Sequence, residues 1–329
     1  MTSGLLQVKG LSLSFSMEPA ASKAVDQLDF TLEKGEILGI VGESGCGKSL
    51  TSLAIMGLLP PALAKIEGGV TFNGANLLTL REKELRRIRG NEISMIFQEP
   101  MTSLNPVYTI GNQLIETLKL HRKLNRKQAY EHAIELLKLV RIPEPEKIYK
   151  QYPYELSGGL RQRVMIAIAL SCDPKILIAD EPTTALDVTI QSEILELLRE
   201  LRSKLSMSVI LISHDLGVIS EIADRVMVIY AGTAVEYARV ERIFDHPRHP
   251  YTQGLLNSIP SLYDKKDRLE TIEGKVPGAD DMPRGCKFHP RCKHRTSLCE
   301  TFEPALYPVE EGQARCWMYS KEWTSNVGK

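Results

Sequence analysis

The chain has no apolar run of the roughly 18 residues that a membrane-spanning helix requires; its best stretch, VMIAIAL after Arg163, lasts seven residues. Nor does it open on a charged leader followed by a long apolar segment. MTSGLLQVKG carries neither, so no secretory signal is expected and the cytoplasm is the expected compartment. An excess of one charge is missing too, because 41 Lys and Arg balance 41 Asp and Glu. With no overall field to draw the chain to nucleic acid or anionic lipid, no nucleic-acid partner is expected, a local patch aside. No internal repeat and no low-complexity tract interrupts the sequence. At 329 residues it can bury one large core with an appendage, or two modest ones.

Short aliphatic runs alternate with amphipathic stretches through the first 240 residues: EILGIVG, EISMIFQ, KILIADE, SVILISH and RVMVIYAG read as buried strands. Strands that are continuous in apolar residues and separated by helical patterns imply a mostly parallel sheet covered on both faces, an α/β fold. Between EISMIFQ and KILIADE lies an interval, 99–173, with helical periodicity in QAYEHAIELLKLV and SGGLRQRVMIAIALS. It is too long for a plain crossover and reads as a helical subdomain inserted into the core. Beyond residue 240 the texture changes, as FDHPRHPYTQGLLNSIPSL and EGKVPGADDMPRGC bring Pro, His and Gly at a density that breaks regular elements. A boundary near 245 is expected, with 246–329 a small loop-rich extension.

Residues 42–49, GESGCGKS, fit G-x-x-x-x-G-K-[ST] between a strand pattern and a helix pattern, the context that a phosphate loop requires. Gly42, Gly45 and Gly47 let the backbone turn tightly and aim N–H groups at a β-phosphate, where the helix N-terminus adds partial positive charge. Lys48 would reach the β- and γ-phosphates and Ser49 would hold Mg2+. The motif by itself leaves GTPases, kinases and transport ATPases open.

KILIADEP places Asp180 and Glu181 at a strand end, where one carboxylate can meet Mg2+ and the next can orient or deprotonate an attacking water. If the strand persists, the two point to opposite faces. Gln98 and His214 also follow buried strands, and ligands in open α/β sheets bind at the carboxyl ends of strands. In LSGGLRQR, Ser157 is suited to cap a helix whose first turn Gly158 and Gly159 leave open, a second place for an anion.

The order GESGCGKS, IFQ, LSGGLRQR, ILIADEP, ALD, SHD across residues 1–240 resembles an ATP-binding cassette (ABC) ATPase, with Leu160 where the signature often has Gln. That resemblance implies a P-loop nucleotide-binding domain over 1–245, paired with a second ATPase subunit so that each ATP lies between the loop of one and the signature of the other. Nucleotide contacts are then expected from Phe15, stacked on adenine, from Gly42, Ser44, Gly45, Cys46, Gly47, Lys48, Ser49 and Thr51, from Gln98 and Asp180, and across the seam from Ser157, Gly158, Gly159 and Asp187. Mg2+ would be met by Ser49, Gln98 and Asp180. Glu181 would be the general base, His214 would contact the γ-phosphate, and Gln98 would couple nucleotide state to the transport partner. IFQEPMTSLNP and HPRHPYTQGLL look like the ATPase subunits of peptide and nickel importers, with dipeptide and oligopeptide importers the best match. The implied partners are a homologous second ATPase, two membrane permease subunits and an extracellular or periplasmic solute-binding protein, with the chain peripheral on the cytoplasmic face of the membrane. A nickel or other small-solute importer, and a soluble cassette ATPase of translation or DNA repair, are the alternatives.

Cys286, Cys292, Cys299 and Cys316 lie in the last tenth or so of the chain, where disulfides are disfavoured in a cytoplasmic protein. Their spacings of five, six and 16 residues contain no tight Cys-x(2–4)-Cys pair, which counts against structural zinc. Arg284, Lys287, Arg291, Lys293 and Arg295 would offset the negative charge of any metal–thiolate centre. The resemblance points to a four-iron, four-sulfur cluster of structural role, with zinc and unligated thiols as alternatives. Cys46, a variable loop position, and Cys172, at the end of the signature helix, are not expected to ligate metal.

Overall fold

A computed structural model describes residues 4–15, 23–99, 103–184, 186–258, 271–278 and 281–326. Parts of the quoted stretches, among them 100–102, 185 and 259–262, lie outside the described residues. The strands are β1 (Leu6–Phe15), β2 (Val25–Leu32), β3 (Ile37–Val41), β4 (Ala64–Phe72), β5 (Ala75–Asn76), β6 (Ile93–Ile96), β7 (Ile176–Asp180), β8 (Ser208–Ser213), β9 (Arg225–Tyr230), β10 (Thr233–Arg239), β11 (Tyr307–Val309) and β12 (Gly312–Ala314). The helices that matter below are α1 (Lys48–Met56), α2 (Glu82–Ile88), α3 (Ile110–Arg122), α4 (Arg126–Leu139), α5 (Pro145–Ile148), α6 (Gly158–Leu170), α7 (Val188–Leu205), α8 (Leu216–Ile222), α9 (Val240–Asp245) and α10 (Pro250–Asn257).

The described residues fall into two compact units. One comprises residues up to 32, 37–78 and 213 onward; the other comprises 33–36 and 79–212.

In the first unit, β9 pairs in parallel with β3 and antiparallel with β10. β12 adds antiparallel to β10, and β11 to β12, so residues near the C-terminus extend this sheet. Every residue of β3 is buried, and so are all but the first of β9, as continuous apolar runs covered on both faces must be. A second sheet, in the order β2-β1-β4-β5, is antiparallel throughout. The sequence reading of a mostly parallel sheet misses these antiparallel strands, because VDQLDFTL and AKIEGGVTF alternate buried and exposed positions too weakly to be told from loops.

In the second unit, β7 lies between β6 and β8, all parallel. Helices α3, α4 and α6 fill most of the interval between β6 and β7. Thr109 caps α3 by accepting from the Asn112 N–H, and Ile110, Leu114 and Leu118 form its buried stripe at four-residue spacing. Asn125 and Gln128 make a reciprocal capping box on α4. The run VMIAIAL belongs to α6, which is buried on most sides, so its apolarity reflects an interior helix. Inside it the Arg163 guanidinium donates to the Val140 carbonyl and to Glu193, at 3.1 and 2.7 Å.

Candidate nucleotide site

The phosphate loop connects β3 to α1, and close packing dictates its glycines. A Cβ on Gly42 would lie 2.2 Å from the Ile229 carbonyl oxygen, and one on Gly47 2.6 Å from that of Ala24, where the backbone also takes φ 98°. No side chain fits either place. Lys48 is 5% exposed, and its ammonium donates to the carbonyls of Gly42 and Glu43 at 2.8 and 3.1 Å. The positive charge therefore sits over the loop, at the N-terminus of α1.

Ser44 and Gly45 are exposed at the loop's tip, and Ser49 is half-buried in the first turn of α1. Thr51 and Cys46, expected among the nucleotide contacts, are placed differently. The Thr51 hydroxyl is fully buried and bonds back to the Gly47 carbonyl at 2.9 Å. The Cys46 thiol packs under Gly42, and burial pushes it up to about 11. As side chains, these two brace the loop from behind. Phe15 ends β1 half-buried, and His214 is exposed just after β8; both belong to the same unit as the loop.

In the second unit, Asp180 closes β7 and is buried. The strand does not persist: Glu181 takes a left-handed φ of 47° while its N–H donates to the Ile212 carbonyl at 3.0 Å. It is this turn of the backbone, not strand alternation, that separates the two carboxylates. Gln98 Nε2 donates to Glu181 Oε2 at 3.0 Å, and Thr184 Oγ1 donates to the same oxygen at 2.9 Å. The structure thus brings together two expected residues 83 positions apart and adds Thr184, which sequence reasoning missed. Its only signal was a hydroxyl three residues after the glutamate in DEPTT.

Ser157 caps α6, its Oγ accepting from the Leu160 N–H at 3.4 Å, as expected. Asp187 caps α7 in the same manner, accepting from Ile190 at 2.9 Å. The two helix starts adjoin, since a Cβ on Gly158 would lie 3.5 Å from Leu186 and one on Gly159 3.1 Å from Ile190. Ser157, Gly158 and Asp187 are exposed or partly so.

Cys286, Cys292, Cys299 and Cys316 all line one small cavity, beside His289, His294 and Trp317. All four are free thiols. Burial pushes Cys286 up to about 11 and Cys316 up to about 12, and it raises Cys292 as well. Four thiols line this one space, and cysteine sulfurs are the donors that iron–sulfur clusters take. Among the described residues, no three His, Cys, Asp or Glu side chains converge closely enough to hold a single metal ion. Two of the five basic residues expected to offset a metal–thiolate charge point elsewhere. Lys287 donates to Asp26 at 3.2 Å and Arg291 to Glu43 at 3.0 Å.

HPRHPYT gains a physical meaning here. Glu236 accepts the N–H groups of Arg248 and His249 at 2.7 and 2.8 Å, and His249 Nδ1, as the cap of α10, accepts from the Tyr251 N–H at 3.0 Å. Tyr251 then reaches the phosphate loop, its hydroxyl accepting from the Glu43 N–H at 2.8 Å. Burial lowers His249 to about 3 and raises both the Tyr251 phenol and the Glu236 carboxyl.

A glycine loop that passes from a buried strand onto a helix N-terminus, in an α/β fold, defines a P-loop nucleoside triphosphatase. Comparison with known proteins narrows the class. Residues 25–184 match the ABC transporter family, and residues 235–299 match the C-terminal region of oligopeptide/dipeptide transporters. The chain is 52% identical to the oligopeptide transport ATP-binding protein AppD of Bacillus subtilis, over 97% of this chain and 98% of that protein. It is 51% identical to the dipeptide transport ATP-binding protein DppD of Haemophilus influenzae, over 95% and 94% of the two chains. A dimeric ATP-binding cassette solved in a post-hydrolysis state with ADP and phosphate superposes with a TM-score of 0.64 at 27% identity, covering 71% of this chain and 98% of that one. A component of the cbiONQ transporter complex of Clostridium perfringens gives 0.63 at 26%, covering 74% and 91%. The chain belongs to the ATP-binding proteins of the ABC transporter family, and it is an ABC-type ATPase. Among the described residues, no helix is long and apolar enough to cross a membrane.

Proposed function

We propose that the chain is the ATP-hydrolysing motor subunit of an importer of dipeptides or oligopeptides. The observation that carries this reading is the similarity over nearly the whole chain, including the segment beyond residue 235, to ATP-binding proteins of oligopeptide and dipeptide transport. In this reading residues 1–245 form the nucleotide-binding domain, 99–173 its helical subdomain, and 246–329 the extension. The subunit sits on the cytoplasmic face of the membrane, against two permease subunits that receive substrate from a solute-binding protein. It pairs with a homologous second ATPase.

The phosphate loop holds the triphosphate through its N–H groups and Lys48, with Phe15 against the adenine. Ser157, Gly158 and Gly159 present a helix N-terminus to the γ-phosphate bound by the partner ATPase, and Asp187 lies at the seam. Glu181 accepts the proton of the attacking water as the oxygen–phosphorus bond forms and the bond to ADP breaks. Gln98 and Thr184 keep its carboxylate aimed, while His214 contacts the γ-phosphate. The hydroxyl of Ser49, the amide oxygen of Gln98 and the carboxylate of Asp180 are hard oxygen donors of the kind Mg2+ takes, and the ion supplies charge neutralisation on the phosphates when bound.

Cys286, Cys292, Cys299 and Cys316 would hold a four-iron, four-sulfur cluster that fastens the extension. Because burial keeps at least three of these thiols protonated, they release protons on taking up metal. Anaerobically purified protein is expected to be brown with a broad visible absorbance; colourless protein with stoichiometric zinc overturns the cluster.

Reconstitution with its permeases and solute-binding protein in liposomes tests the whole reading. ATP hydrolysis and uptake should rise with di- or oligopeptides and not with nickel. Stimulation by nickel alone would move the substrate to a metal.

A further inference from the structure

The segment that bears the cysteines also grips the phosphate loop. Arg291, next to Cys292, has a side chain only 6% exposed. Its Nη1 donates to both carboxylate oxygens of Glu43, the second residue of the loop, at 3.0 and 3.2 Å. Its Nε and Nη2 donate to the carbonyls of Glu273 and Ile272 at 2.9 and 3.2 Å, and the guanidinium lies over the Tyr230 ring, 5.7 Å from its centroid. The Tyr251 hydroxyl meanwhile accepts the N–H of Glu43. Carboxylate and backbone of this one loop residue are thus both held by residues beyond 245.

A carboxylate in a loop that must receive a triphosphate is an electrostatic liability, since its charge opposes that of the ligand. Arg291 neutralises it with one arm of a fork whose other donors are already fixed on backbone carbonyls, a geometry that a lysine cannot reproduce. We propose that Arg291 is a positioning residue for nucleotide binding. By pairing with Glu43 it removes the negative charge from the triphosphate's approach and fixes the first turn of the loop, making ATP affinity depend on the cysteine-bearing extension. This rests on the reading of 42–49 as the phosphate loop.

The test measures the dissociation constant of MgATP by calorimetry on the full chain, with steady-state hydrolysis in parallel. Arg291→Gln, which keeps an amide donor for the carbonyls and drops the charge, should weaken MgATP about tenfold while kcat at saturation changes less than about twofold. Glu43→Gln supplies the background in which no carboxylate needs neutralising. The double variant Glu43→Gln/Arg291→Gln should return to within about threefold of wild type, because the carboxylate that needed neutralising is gone. A merely structural brace would not be rescued in this way, so a weak Arg291→Gln without rescue overturns the proposal. Tyr251→Phe gives an independent readout, with binding expected to weaken about threefold through the lost acceptor. Wild-type affinity in both Arg291→Gln and Tyr251→Phe also overturns it. Lys48→Ala separates the underlying reading: if that variant still binds MgATP, the loop assignment itself fails.

Discussion

Gln98 and Thr184 both donate to one oxygen of Glu181, at 3.0 and 2.9 Å, and so fix the plane of a carboxylate whose backbone is already turned by a left-handed φ. A carboxylate held in this manner is oriented before any ligand arrives, which is what a general base for water requires. Glu181→Gln keeps the shape and removes the basicity. Hydrolysis should fall by about 100-fold or more while MgATP still binds, and the chain mixed with its partner ATPase should accumulate as an ATP-bound pair on gel filtration. Undiminished hydrolysis would remove Glu181 as the base.

In the proposed mechanism Thr184 acts only through Glu181, whose carboxylate it holds at 2.9 Å. Thr184→Val deletes one of the two donors without changing volume much, so kcat should drop about three- to tenfold with the KM for ATP unchanged, and Thr184→Ser should restore it. A change confined to KM would mean that the hydroxyl serves nucleotide binding instead.

How far the sequence could be read depended on the range of the forces involved. The phosphate loop, the strand ends and the Ser157 cap were legible because each is set by local chemistry: glycine torsions, a continuous apolar run, a hydroxyl before a helix. Two of the loop's glycines owe their identity to carbonyls of Ala24 and Ile229, far away in sequence, and those neighbours could not be foreseen. The Glu43–Arg291 pair joins positions 248 apart and carries no periodicity at all. In HPRHPYT the residues stood out, but their shared acceptor, Glu236, gave no sign of its role in TAVEYAR. Charge alone also misled: Lys287 and Arg291 were counted toward the cysteines, whereas each had a carboxylate partner elsewhere.

Gly47 offers a steric test of the loop. An added methyl would meet the Ala24 carbonyl at 2.6 Å with the backbone at φ 98°, so Gly47→Ala should destabilise the chain by about 1–3 kcal/mol and abolish MgATP binding. Thermal melting and calorimetry on the same sample check both halves. A variant with wild-type melting and affinity would show that the loop relaxes away from Ala24 at no cost.

His249 makes stability depend on pH in a direction that its burial fixes. In the folded chain it is 1% exposed and lowered to about 3, chiefly by burial and further by the charge of Arg315, against an ordinary value of 6.5. Between those two values the unfolded chain holds a proton that the folded chain refuses. The stabilisation is therefore complete above pH 6.5 and is lost as pH falls towards 3, by up to about 1.4 kcal/mol per pH unit. Glu236, raised by burial, works in the opposite sense once pH falls through its folded value, so wild type alone would show a mixture of the two. His249→Asn removes the titration while offering an amide oxygen to the Tyr251 N–H, and the bonds to Glu236 come from backbone groups that the substitution leaves in place. Urea midpoints measured from pH 7.5 down to about 4.5 should fall more steeply in wild type than in the variant, with the difference opening below about pH 6.5. Parallel curves would mean that His249 takes up its proton in the folded chain, and that its own surroundings are open to water.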